Sequence, residues 1–248
     1  MTRNILGVHV NPTSYVEAAR QISTWAKAGE SRYVCVANVH MVMEAYDSPD
    51  FKEIVNAADL ITPDGMPLVW MLRRMGYPQQ TRVYGPDLTL EVIAAAAAEN
   101  IPVGFYGGAL DVLEAMLRVL KSKCPGLQVP YAYSPPFRPL TAEEDAEVVN
   151  GINASGARIL FVGLGCPKQE RWMAEHGSKI QAVMLGVGAA FDFHAGSIRQ
   201  APRWMQKSGL EWLFRLIQEP RRLWRRYLYQ NPRFVWFMIW QLLGRKKT

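Results

Sequence analysis

Three short segments hold residues able to do chemistry on an anionic ligand. Gly163-Leu164-Gly165-Cys166-Pro167-Lys168-Gln169-Glu170 follows the apolar run Arg158 to Val162. Glycines let the backbone approach a ligand, and a helix opening at Pro167 would turn free N–H groups toward an anion. Lys168 adds charge there, and Gln169 offers a donor and an acceptor. A tight strand-to-helix turn also needs glycine, so a packing role competes with a ligand role. Gly186-Val187-Gly188-Ala189-Ala190-Phe191-Asp192 repeats the Gly-x-Gly arrangement. Its Asp192 suits either a nucleotide contact or a helix cap. Thr62-Pro63-Asp64-Gly65-Met66-Pro67 sets a carboxylate where a strand ends, a position fit for a general base, although Asp-Gly is also a common turn pair. Asn38 and the pair Gly107-Gly108 each close a further short apolar run.

Other chemistries lack their residues. The third glycine of a dinucleotide fingerprint is missing, and no Walker lysine pattern occurs. No Asp-x-Asp is present, and the four histidines have no metal-ligand spacing, so no metal is expected. His40 and His194 read as polar packing groups. The three cysteines form no CxxC, which fits a reducing compartment. No nucleophile-elbow serine appears.

The elements that must position these residues alternate. Tyr33 to Ala37, Asp59 to Thr62, Val103 to Tyr106, Val129 to Tyr133, Arg158 to Val162 and Ala182 to Leu185 read as strands. Between them lie helical stretches: Val39 to Tyr46 with Asn38 as a candidate cap, Met66 to Met75, Leu88 to Asn100, a run ending near Lys121, and Thr141 to Asn153 with a Thr141/Glu144 capping box. Strands without polar alternation are buried on both faces. The expected fold is therefore α/β, a Rossmann-like and mostly parallel sheet with helices on both faces, whose ligands sit at the strands' C-terminal ends.

The last fifty residues differ from this body. Residues 199–248 hold 12 Lys and Arg against 2 Asp and Glu, whereas residues 1–198 hold 16 against 20. Five of the eight tryptophans also lie there: Trp204, Trp212, Trp224, Trp236 and Trp240. We read 1–198 as a catalytic body and 199–248 as a helical basic appendage of three short helices, two of them opened by Pro220 and Pro232. Arg215, Arg222 and Arg225 would share a face if the helix were continuous. Basic residues interleaved with aromatics suit a membrane surface, a lipid diphosphate or a nucleic acid. No apolar stretch approaches the roughly 20 residues of a membrane span, and the N-terminus lacks a signal peptide's apolar run. A cytoplasmic protein with peripheral membrane contact is expected.

Together the segments ANVHMV, ADLITPDGMPLVW, RVYGPDL, FYGG, FVGLGCPKQERW, GVGAAFDFHAGSIRQAPRW and GLEWLFRLIQEPRRLWRRY resemble the WecG/TagA/CpsF family of bacterial glycosyltransferases. They run in order from about Tyr33 to Tyr227, and their combination is specific. The resemblance implies inverting, metal-independent transfer from a UDP-sugar to a polyprenyl-diphosphate-linked saccharide at the inner face of the cell membrane, in surface polysaccharide synthesis. It implies Asp64 as base, with Asn38, Arg82 and Gln169 beside it. It also implies arginines matching Arg215, Arg222 and Arg225 in a membrane-docking segment that closes over the site, where they and Arg82 would hold the acceptor. Gly107, Gly108, Gly163, Gly165, Pro167, Lys168, Gly186, Gly188 and Asp192 would then line the donor site. One position departs: members using N-acetylmannosamine often carry Thr two residues before the asparagine, and here Val36 stands there. A hexose or uronic acid donor stays equally open, as does a homo-oligomer. The rival readings are a nucleic-acid-binding module using the basic tail, and another nucleotide-dependent enzyme.

Overall fold

The computed structural model describes residues 2–244. Two three-residue strands, β1 (Arg3–Ile5) and β2 (Val8–Val10), pair antiparallel. Helix α1 (Tyr15–Ala28) opens with a Ser14/Glu17 capping box and stops at Gly29 in the left-handed region. Then follow β3 (Arg32–Ala37), α2 (Val39–Asp47), α3 (Pro49–Asn56), β4 (Leu60–Pro63), α4 (Met66–Arg74), α5 (Gly85–Ala98) and β5 (Val103–Gly107). The body continues through α6 (Leu110–Lys123), β6 (Tyr131–Tyr133), α7 (Ala142–Ser155), β7 (Ile159–Gly163), α8 (Lys168–His176), β8 (Val183–Gly186) and α9 (Ala190–Ala195).

Strands β3 to β8 form one parallel sheet in the order β4-β3-β8-β7-β5-β6. Side chains alternate between its two faces: Tyr33, Cys35 and Ala37 of β3 join one core layer, Val34 and Val36 the other. Helices cover both layers, as the unbroken apolar strands require. The sheet is thus a Rossmann-like parallel array. Its strands all point the same way, so Asn38, Asp64, Gly107, Gly163 and Gly186 arrive at one edge.

The appendage differs from the expected three helices. After α10 (Arg203–Lys207) and α11 (Glu211–Gln218), helix α12 (Pro220–Trp224) passes through a π-helical turn, Arg225–Tyr229, directly into α13 (Gln230–Leu242). Pro220 opens a helix as expected, but Pro232 lies inside one. A proline ring collides with the carbonyl four residues back, here Leu228, and that residue sits in the widened turn, where the ladder is already broken. Residues 245–248 of the appendage lie outside the described residues.

This appendage is sewn onto the body. Phe234 is fully buried in the body's core, and Phe237 stacks on Tyr46 at 4.6 Å between ring centroids. Arg203 pairs with Asp87 at 2.7 Å, and Arg233 with Asp47 at 2.7 Å. Gln230 reaches His40 and Glu44, both at 2.8 Å. Gln241 donates to the Asn4 carbonyl and accepts from the Leu6 N–H. No helix among the described residues is long and apolar enough to cross a membrane.

Candidate active site

A cleft of about 1050 Å³ opens at the C-terminal ends of β3, β4, β7 and β8 and is roofed by the appendage. Asp64, which follows β4, lines it with one carboxylate oxygen in an ion pair. Burial pushes the Asp64 carboxyl above its ordinary value, Glu211 adds to the rise, and Arg82 opposes it. Arg82 donates through Nε (3.0 Å) and Nη2 (2.8 Å) to the same oxygen, Oδ1, which leaves Oδ2 for a proton. Its Nε also reaches the Asp64 carbonyl. Arg82 Nη1 bonds Glu211 of α11 at 2.6 Å, so this guanidinium ties the appendage to the base as well. The Tyr84 ring lies under it at 4.0 Å. Arg82 is thereby committed to two carboxylates. Asn38 lines the cleft as the cap of α2, its Oδ1 accepting from the Met41 N–H.

The two glycine-rich turns meet around Gln169. Its Oε1 accepts from the Gly165 N–H at 3.1 Å, and its Nε2 donates to Glu170 at 2.8 Å. A Cβ on Gly186 would lie 2.9 Å from that Nε2. Both ends of the Gln169 amide therefore hold protein groups, and its buried side chain positions the turns. Phe191 explains two more glycines: a Cβ at Gly163 would lie 2.8 Å from its ring, and one at Gly108 3.1 Å. Gly108, Gly163, Gly165, Gly186, Gly188 and Asp192 line the cleft. Asp192 sits inside the first turn of α9 rather than at its cap, and burial raises its carboxyl. Gly107, Pro167 and Lys168 do not line it: Gly107 packs on the Gly163 backbone, Pro167 caps α8, and Lys168 faces solvent. His194 bonds the Pro86 carbonyl and is packing.

Of the tail arginines, Arg215 and Arg222 line the cleft, whereas Arg225 turns outward onto Trp224, with its guanidinium 5.4 Å from the ring centroid. Arg226 takes its place. The face bearing Arg222 continues four residues on, through the widened turn. Arg226 reaches Asn38 Oδ1 only at 3.5 Å. The Nε atoms of Arg226 and Arg215 are buried with no hydrogen-bond partner, and among the described residues neither arginine is in an ion pair. Burial pushes the Arg226 guanidinium below its usual value. Two half-buried cations without a carboxylate partner, Arg215 stacked 5.4 Å over the Phe193 ring, face the cleft and fit an anionic ligand. Among the described residues, no three His, Cys, Asp or Glu side chains are gathered to hold a metal.

The profile of the glycosyl transferase WecG/TagA/CpsF family matches residues 3–248. The chain belongs to that family. It is 31% identical over 214 residues to the N-acetylglucosaminyldiphosphoundecaprenol N-acetyl-beta-D-mannosaminyltransferase of Bacillus spizizenii strain W23, covering 86% of this chain and 80% of that one. The protein of the same name from Bacillus subtilis strain 168 is 28% identical over 226 residues, 91% of this chain and 85% of its own.

Three residues of this glycosyl transferase escape a reading by motif. Glu211 sits in the GLEW segment, with nothing in its spacing to link it to Arg82. Arg226 is hidden by its twin Arg225, and the π turn decides between them. Glu170 is fully buried beside Gln169, with Oε2 unpartnered, and burial lifts its carboxyl to about 6. A charged residue after Gln169 reads from sequence as an exposed first-turn acid.

Proposed function

We propose that this chain transfers a sugar from a UDP-sugar to a saccharide carried on a polyprenyl diphosphate, with inversion and without a metal. Asp64 takes the proton of the acceptor hydroxyl, whose oxygen attacks the anomeric carbon as the bond to UDP breaks. Arg215, Arg222 and Arg226 face the diphosphates of both donor and acceptor where they meet in the cleft, and receive the charge that develops on the leaving one, the role a metal would otherwise fill. The observation that carries this reading is the placement in one cleft of a raised carboxylate with one free oxygen and two arginines that have no carboxylate partner and a buried, unpartnered Nε. Arg82, tied to Asp64 and Glu211, orients the base and signals that the lid is closed.

The names of the two Bacillus relatives supply the acceptor class, N-acetylglucosaminyl diphosphoundecaprenol, and one donor candidate. Val36 lines the cleft beside Asn38, so a hexose or uronic acid donor is to be tried with N-acetylmannosamine. The exposed aromatics Trp224, Trp236 and Trp240, with the outward Arg221 and Arg225, support docking on an anionic membrane, at roughly 1 kcal/mol per engaged cation. The test is a panel of UDP-sugars with a synthetic prenyl-diphosphate-linked N-acetylglucosamine. One donor should release UDP only when acceptor is present; acceptor-independent hydrolysis alone would reject the assignment.

A further inference from the structure

The cleft continues past its reacting groups. Helix α4 starts two residues after Asp64, and Met66, Pro67 and Trp70 carry the cleft wall away from the carboxylate. Val235, Trp236 and Ile239 of α13 line the same cleft, while Gly209 packs on Met66 and Trp70. Beyond lies a second hollow of about 400 Å³, lined by Trp70, Met71, Arg73, Arg74, Met238 and Leu242. Trp70 lines both hollows. The spacing is helical on each side, 67, 70, 71 and 74 along α4 and 235, 238, 239 and 242 along α13, with Met71 itself fully buried at the floor. From Met66 to Arg74 the lining is about 12 Å long at the rise of an α-helix. Its large apolar side chains are left nearly half exposed: Trp70 42%, Ile239 45% and Leu242 45%. Such a strip is unfinished as core and fits an apolar ligand.

One end of this path is Asp64 with the unpaired Arg215 and Arg226; the middle is apolar; the far mouth carries the exposed cations Arg73 and Arg74. The matching ligand has an anionic head, an apolar chain, and an exit beside anionic headgroups. We propose that the groove between α4 and α13 seats the isoprene units nearest the diphosphate of the acceptor, with Trp70 at the junction of head and chain. The proposal rests on the reading of the cleft as a site for a polyprenyl diphosphate acceptor. It gives the enzyme a grip on the chain that is separate from docking on the bilayer.

The test uses the full chain, without vesicles or detergent, and two water-soluble N-acetylglucosaminyl diphosphate acceptors that carry one or three isoprene units. Burial of the two added units should raise kcat/KM by roughly tenfold or more. Trp70→Ser and, separately, Leu242→Gln should bring that ratio toward one. Leu242 is exposed, so the second variant retains the fold if the first does not. Equal kcat/KM for both acceptors, or a ratio unchanged in both variants, would overturn the groove alone. Should the wild type sediment as a dimer, loss of that dimer on Trp70→Ser with an unchanged ratio would assign the groove to a second copy and overturn the proposal too. No transfer to either acceptor from any UDP-sugar would overturn the reading of the cleft, and the groove with it.

Discussion

Replacing Arg226 by methionine should make the protein more stable and a much poorer enzyme. In the free protein Arg226 is buried, its Nε has no partner, and no carboxylate pairs with it among the described residues. Leaving such a group unsatisfied costs about 1–3 kcal/mol, and methionine fills the space of its aliphatic stem without that cost. A gain of about 2 kcal/mol corresponds to a rise in Tm of about 4–8 °C for a chain of this size. Removing one donor to a developing charge lowers kcat by about 10²–10³-fold. Melting with UDP joins the two effects. Ligand at a hundred times Kd stabilises the wild type by about 2.7 kcal/mol, whereas a Kd weakened a hundredfold leaves about 0.4 kcal/mol. Thermal melts with and without UDP, with initial rates on the same samples, read both quantities. An Arg226→Met protein that melts below wild type and turns over within threefold of it would refute the reasoning.

Further outcomes follow from neighbouring groups. Asp64 acts as a base only when ionised, so kcat/KM should fall as pH drops through its raised pKa. Glu211→Gln removes a negative neighbour that raises that pKa, so the acid limb of the profile should move to lower pH; no shift would separate Glu211 from the base. Glu170 titrates at about 6 in the fold against an ordinary 4.5, so the folded protein holds its proton more tightly and loses stability as pH rises between those values. Glu170→Gln keeps the acceptor for Gln169 and should gain about 2 kcal/mol over wild type between pH 4 and pH 7, seen as a widening difference in Tm. Gly107→Ala would place a Cβ 2.7 Å from the Gly163 carbonyl at a φ of +118°. Backbone cannot yield as a flexible side chain does, so the variant should lose about 3 kcal/mol and melt about 6–12 °C lower.

Most of the sheet was legible because its strands carry unbroken apolar runs. Arg158 to Val162 and Ala182 to Leu185 are off by a residue or so from β7 and β8. The turns at their ends placed Asp64, Gln169 and the glycines on one edge. The β1–β2 hairpin was not legible, since three-residue strands carry too little periodicity. Val129 to Tyr133 reads longer than the observed β6, an edge strand that pairs only from Tyr131 on, after Pro130, which cannot donate to a ladder. Helix α5 starts at Gly85, ahead of the expected Leu88, because Pro86 is tolerated in a first turn. The appendage was the hardest part. Both Pro220 and Pro232 read from sequence as helix starts, and only Pro220 is one. The widened turn between them sets which of Arg225 and Arg226 enters the cleft. That choice depends on packing against Asn38 and the body, which neighbouring residues in sequence do not encode.

The most direct test of the central claim is a single-turnover assay in excess EDTA. Wild type and Asp64→Asn are compared with the active UDP-sugar and a prenyl-diphosphate-linked N-acetylglucosamine, reading released UDP and the mass of the glycosylated acceptor together. The wild type should transfer at an undiminished rate with EDTA present, and folded Asp64→Asn should be slower by about 10²–10⁴-fold while binding UDP unchanged. Transfer that stops with EDTA, or a folded Asp64→Asn protein near the wild-type rate, would contradict an Asp64 base working with arginines in place of a metal.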